Sequence, residues 1–100
     1  MKVLSNRNNV FASEEIWSFS DEIFYQLISY QTEAMSITYS SKRRTFEVHT
    51  FIENPSRTTR KHMNEFVRQV CDHFNLDENK TAEILKASYN KSFRRITINH

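Results

Sequence analysis

Three groups of cations are the residues best placed to do chemistry: Lys42-Arg43-Arg44, Arg57-Arg60-Lys61 and Lys91-Arg94-Arg95. In the second group they interleave with hydroxyls, in the order Ser56-Arg57-Thr58-Thr59-Arg60-Lys61-His62. A hydroxyl at a helix start accepts from an orphan backbone N–H two or three residues on. The remaining N–H groups, with Thr58, Thr59 and the cations Arg57, Arg60 and Lys61 beside them, would hold an anion, either a phosphate or an acidic protein patch. Without an anion, cations at this end cost roughly a few tenths of a kcal/mol each, because a helix start is already partly positive. If Lys42, Arg43, Arg44, Arg57, Arg60, Lys61, Arg94 and Arg95 converge, they form one basic face suited to a phosphate backbone or an acidic partner. Scattered, solvated surface cations are the plainer reading.

Catalytic signals are weak. His62 beside Arg60 and Lys61 has the makings of a general base acting on a phosphodiester, but such a site needs a convergent partner that the sequence does not identify. The four histidines, His49, His62, His73 and His100, show no metal-ligand spacing with cysteine or carboxylate, so no metal is expected. Glycine is absent, which excludes a Walker loop, a dinucleotide-binding fingerprint and a G-x-S-x-G elbow. No cofactor is expected. Glu14-Glu15 and Asp21-Glu22 serve equally as paired acids or as first-turn helix acids. Phe11, Trp17 and Phe19 could form an exposed aromatic patch, with core burial as the expected fate.

The elements that would position these residues centre on one helix. Pro55 keeps Asn54 out of the α region, and Ser56 is the preferred cap. Met63, Phe66, Val67, Val70, Cys71 and Phe74 then recur every three or four residues, which places them on one helical stripe. Asn75 suits a left-handed stop, and Asp77 a cap for a second helix running to about Tyr89. The spacing from Val67 to Leu85 also fits a helix-turn-helix, but the second helix would open on two acids, Asp77 and Glu78, which repel phosphate. Met35–Tyr39 and Phe46–Phe51 alternate with period two about a short polar link, as a hairpin does. Ser92–Ile98 reads as a final strand and Met1–Leu4 as a short first one. Residues 13–31 fit either helix or strand. Without glycine, positive-φ positions should fall to Asn or Asp, with Asn8-Asn9, Asn75 and Asn90 suitably placed. The sum is an α+β fold: a small antiparallel sheet of N-terminal strands plus a C-terminal strand, packed against a two-helix hairpin, in a single domain spanning residues 1–100.

Composition supports a packed globule. Of 100 residues, 38% are hydrophobic and 13% aromatic, too many for a disordered chain. A net charge of +2 permits nucleic-acid binding without requiring it. No apolar run is long enough to span a bilayer. The polar N-terminus and the single Cys71 suit a reducing cytoplasm.

Two segments together resemble small, uncharacterised proteins encoded by bacteriophages. These are Ser29-Tyr30-Gln31-Thr32, leading into a strand, and Thr58-Thr59-Arg60-Lys61-His62-Met63-Asn64-Glu65-Phe66, opening a helix. The likeness spans about residues 22–70, and this chain departs from it in having no glycine in its hairpin. It implies strand from Ile23 to Ser40 and a phage or mobile-element origin, hence the cytoplasm of a bacterial host. It implies no activity. The expected function is non-catalytic binding of a host macromolecule, most simply a host protein that it inhibits or modulates. A DNA- or RNA-binding regulator is the alternative and a ribonuclease-like enzyme using His62 the third. No membrane partner is expected. A homodimer could form through an edge strand at Met35–Tyr39 or Phe93–Ile98.

Overall fold

The computed structural model describes residues 10–88 and 95–100. In chain order these form β1 (Val10–Trp17), β2 (Glu22–Ser29), β3 (Thr32–Ser40), β4 (Thr45–Thr50), α1 (Arg57–His73), α2 (Glu78–Ser88) and β5 (Arg95–Asn99). The strands make one antiparallel sheet in the order β1-β2-β3-β4-β5. The fold is therefore α+β, with four N-terminal strands and one C-terminal strand flanking a helix pair.

Alternation along the strands sorts side chains onto two faces. Tyr25, Leu27, Met35, Ile37, Phe46, Val48 and Ile98 share the inner face and are buried. On that face α1 packs over β2 and β3, and α2 over β4 and β5. The α1 stripe of Met63, Phe66, Val67, Val70 and Cys71 is buried in full. Phe74 caps the helix and closes the core edge-on to Tyr25 and Phe46, at ring separations of 6.0 and 5.1 Å. From α2, Ile84 and Ala87 join the same cluster. A bulge at Leu27/Ile28 puts the extra residue, Ala34, on β3, so that Ala34 and Met35 are buried together.

Both caps form where the residue types call for them. Ser56 Oγ accepts from the Thr59 N–H at 3.2 Å, and Asp77 Oδ1 from the Lys80 N–H at 2.8 Å. Asn75, with φ 54°, ends the first helix in the left-handed region.

Several details correct the sequence reading. Residues 13–31, which fit either period, are strand at 13–17 and 22–29 with turns at 18–21 and 30–31, so Glu14-Glu15 and Asp21-Glu22 open no helix. Tyr30 and Gln31 break the stretch from Ile23 to Ser40 into β2 and β3. Positive φ is not confined to Asp21 and Asn75: Tyr30 (51°), Gln31 (65°) and Arg44 (55°) also adopt it. The hairpin registers demand those dihedrals, and with no glycine available the sheet's hydrogen bonds hold ordinary residues there at about 1 kcal/mol each. Met35–Tyr39 lies in a central strand, so the edges are β1 and β5. Met1–Leu4, Asn8-Asn9, Tyr89, Asn90, Lys91 and Phe93 lie outside the described residues.

Gln31→Gly is expected to stabilise the protein by about 0.5–1 kcal/mol, because it relieves a left-handed residue in an exposed turn. A thermal midpoint that falls, or does not move, would refute this account of the turn. A second expectation concerns pH. Burial pushes the Tyr25 hydroxyl above its usual pKa of 10.0, and the Glu14 carboxylate opposite it in register adds to the rise. The folded state thus favours neutral tyrosine. The contribution of Tyr25 to stability should be level below about pH 10 and fall above it, as the unfolded chain ionises first. Tyr25→Phe should flatten that alkaline decline in denaturant titrations.

Candidate functional site

Two regions compete for function. The first lies where the β2–β3 turn meets the start of α1. Ser29, at 1% exposure, lies within 3.2 Å of Thr59 Oγ1 and 3.1 Å of His62 Nδ1. Ser56 Oγ donates to Thr59 Oγ1 at 3.1 Å, and the Tyr30 ring sits 6.1 Å from the His62 ring. The two segments of the phage-like pattern therefore meet in space, although some thirty residues separate them in the chain. A hydroxyl beside an imidazole is the pairing that nucleophilic catalysis uses. Here the hydroxyl is sealed from solvent and committed to two neighbours. Its evident work is to pin the helix start to the sheet.

Around this clip stand Arg57, Thr58, Arg60 and Lys61, all exposed, while Thr59 is buried in the clip itself. Lys42, Arg43 and Arg44 are exposed in the β3–β4 turn. These groups do not converge. α1 begins beside Ser29 and ends with Phe74 against Tyr39 and Phe46, next to the β3–β4 turn. Its 17 residues hold the two cation groups roughly 25 Å apart, at 1.5 Å per residue. Arg95 opposes His49 in the register, towards the helix-start end of β4, and Arg94 lies outside the described residues. The four histidines are dispersed as well: His49 is on the outer face, His62 in the clip, His73 exposed on α1, and His100 against Tyr39. Among the described residues no three His, Cys, Asp or Glu side chains could share a metal. Cys71 is buried, and burial pushes its thiol pKa up, which keeps it in the unreactive protonated form.

The second region is the outer face of the sheet, opposite the helices. The middle strand presents small side chains here, Ser36 and Thr38, while its neighbours present aromatic ones. On one side Trp17 stacks on Phe24, with ring centroids 4.9 Å apart and planes within 9°. On the other, His49 and Phe51 lie 4.1 Å apart. Small residues between large ones make a trough of about 280 Å³. Glu22, Glu33 and Glu47 line it with the aromatics. By register Arg95 opposes His49 on the same face of the sheet.

Contrary to the expected core burial, Phe11 is 45% and Phe19 89% exposed. Phe11 points to the outer face by register, and Phe19 occupies the β1–β2 turn. Ile16 points to the helix side but stays 69% exposed, because the helices lie over β2 to β5 and leave the far end of β1 uncovered. Sequence reasoning missed the trough. Its signal is the contrast between a small-residue strand and aromatic neighbours, which becomes readable only with the strand register.

No family model matches the chain, and no curated protein and no solved structure matches it.

If the polar clip holds the helix start, Ser29→Ala and His62→Ala should each lower stability by about 1–2 kcal/mol. The double variant should lose less than the sum by about 0.5 kcal/mol or more, because the two groups share one interaction. Strict additivity in urea titrations would refute the clip.

Proposed function

We propose that this chain is a non-catalytic binding module that docks a host protein through the uncovered face of its sheet, in a phage or mobile-element setting. One observation carries the reading: both helices cover the same side of the sheet, and the other side is left with half-exposed Phe11 at one end and the partly buried Trp17 and Phe24 near the turn that holds exposed Phe19 at the other. Solvent-facing aromatic patches of this kind mark protein contact surfaces. The resemblance to phage proteins supplies the setting, and a host protein is the partner it suggests.

A nucleic-acid regulator is the second reading, favoured by the exposed Arg57, Arg60 and Lys61. Against it, the cation groups lie at opposite ends of α1, and Glu15, Glu22, Glu33 and Glu47 share the outer face. The exposed positions of α2 include Glu78, Ala82, Glu83 and Lys86, a set poor in the cations a recognition helix needs.

An affinity pull-down from bacterial lysate, with and without nuclease and at two salt concentrations, tests the proposal. The wild type should retain the same protein in every condition. A Phe11→Ser/Phe19→Ser variant should lose it at least about tenfold, as removal of aromatic anchors does. Recovery of nucleic acid alone, released at higher salt, would overturn the proposal in favour of the regulator.

A further inference from the structure

We infer that the trough on the outer face receives a basic segment of the partner, with an arginine or lysine side chain lying across Ser36 and Thr38 between the aromatic walls. The inference rests on the protein-docking reading and names the chemistry that face selects. Three observations combine in it. The first is shape. A trough of about 280 Å³ is at or below the small end for a drug-sized ligand, and open enough for a side chain entering from outside. The second is the wall material. Trp17 and Phe24 line one side and Phe51 the other, and aromatic rings attract guanidinium and ammonium groups that come within about 6 Å of their faces. The third is charge. Glu22 and Glu33 stand at the lining, Glu47 joins them although already engaged with a neighbour, and Glu15 lies beside Phe24 in the register, against one cation, Arg95, opposite His49.

Each alternative occupant fits less well. A nucleic acid could stack bases on the rings, but its phosphates would meet the carboxylates. An acidic peptide meets the same repulsion. A purely apolar helix would leave Glu22 and Glu33 desolvated and unpaired. A basic side chain satisfies both surfaces, since its hydrocarbon stem packs on the rings while its head reaches a carboxylate. Same-face residues on a strand are about 7 Å apart, so an extended segment running along β3 would bring a basic residue to the trough at every second position.

The test is an NMR titration of the intact, isotopically labelled chain with a defined probe, a capped peptide of alternating arginine and alanine. The expected result is shifts confined to the amides of residues 17–24, 33–38 and 47–51. Glu22→Gln/Glu33→Gln should bind about tenfold more weakly, and Trp17→Leu should weaken binding several-fold with the charges intact. A matching glutamate–alanine peptide should not bind. Shifts elsewhere, or undiminished binding by Glu22→Gln/Glu33→Gln, would overturn the inference. So would equal binding of spermidine, which would make the trough a small-polyamine site. A molecular mass that rises with concentration and falls with Glu22→Gln/Glu33→Gln would also overturn it, by identifying a second copy as the occupant. The pull-down separates the two levels of the argument. If Glu22→Gln/Glu33→Gln keeps the partner while Phe11→Ser/Phe19→Ser loses it, docking stands and the basic segment falls. If neither variant loses it, both fall.

Discussion

Burial of a single face of the sheet governs the rest of the molecule. β4 and β5 are antiparallel neighbours, and the chain between them contains both helices. Both helices of that connection lie on one side, α1 over β2 and β3 and α2 over β4 and β5. The stripe of α1 needs that side, because Met63, Phe66, Val67, Val70 and Cys71 have no other apolar surface to meet. The inner faces of β2, β3 and β4 are apolar to match. The outer face is consequently left to solvent, and its composition answers to other demands than packing.

Much of this was legible in the residues. The α1 stripe, its Ser56 cap, the Asn75 stop and the Asp77 cap follow from short-range rules, and the structure contains each of them. The β3–β4 hairpin was equally plain, since Met35, Ile37, Phe46 and Val48 alternate cleanly. Residues 13–31 were not, because Ile23, Phe24, Leu27 and Ile28 satisfy two periods at once. The resemblance pointed to strand but not to the turn at Tyr30 and Gln31, where neither residue advertises a positive φ. Phe11 and Phe19 were expected inside because large aromatics usually are. Their exposure depends on how far the helices reach, which is a tertiary fact. The trough belongs to the same class, since it exists only once Phe24, Ser36, Thr38 and His49 are aligned across three strands.

The start of α1 shows how a chemically suggestive string can resolve into architecture. Ser29, Ser56, Thr59 and His62 satisfy one another in a small network beneath the first turn. Such a network fixes the direction in which α1 leaves the sheet, and with it the register of the stripe over β2 and β3. The cations around it remain on the surface, and the length of the helix separates them from those of the β3–β4 turn. The single basic face that converging cations would have made does not form between these two groups, which lie at opposite ends of α1.

The position of β5 has a consequence for the order of assembly. The first four strands follow one another through tight turns, so each pairing closes a small loop. β5 pairs Asn99 with Thr45 and Arg95 with His49 across both helices, a much larger loop with a greater entropic cost of closure. The four-strand meander can therefore form first and serve as the template on which α1 condenses. β5 completes the sheet last and, by the same reasoning, is the first strand to leave. Its departure would bare the edge of β4 and part of the floor beneath α2, while the outer face of β1 to β4 kept its shape.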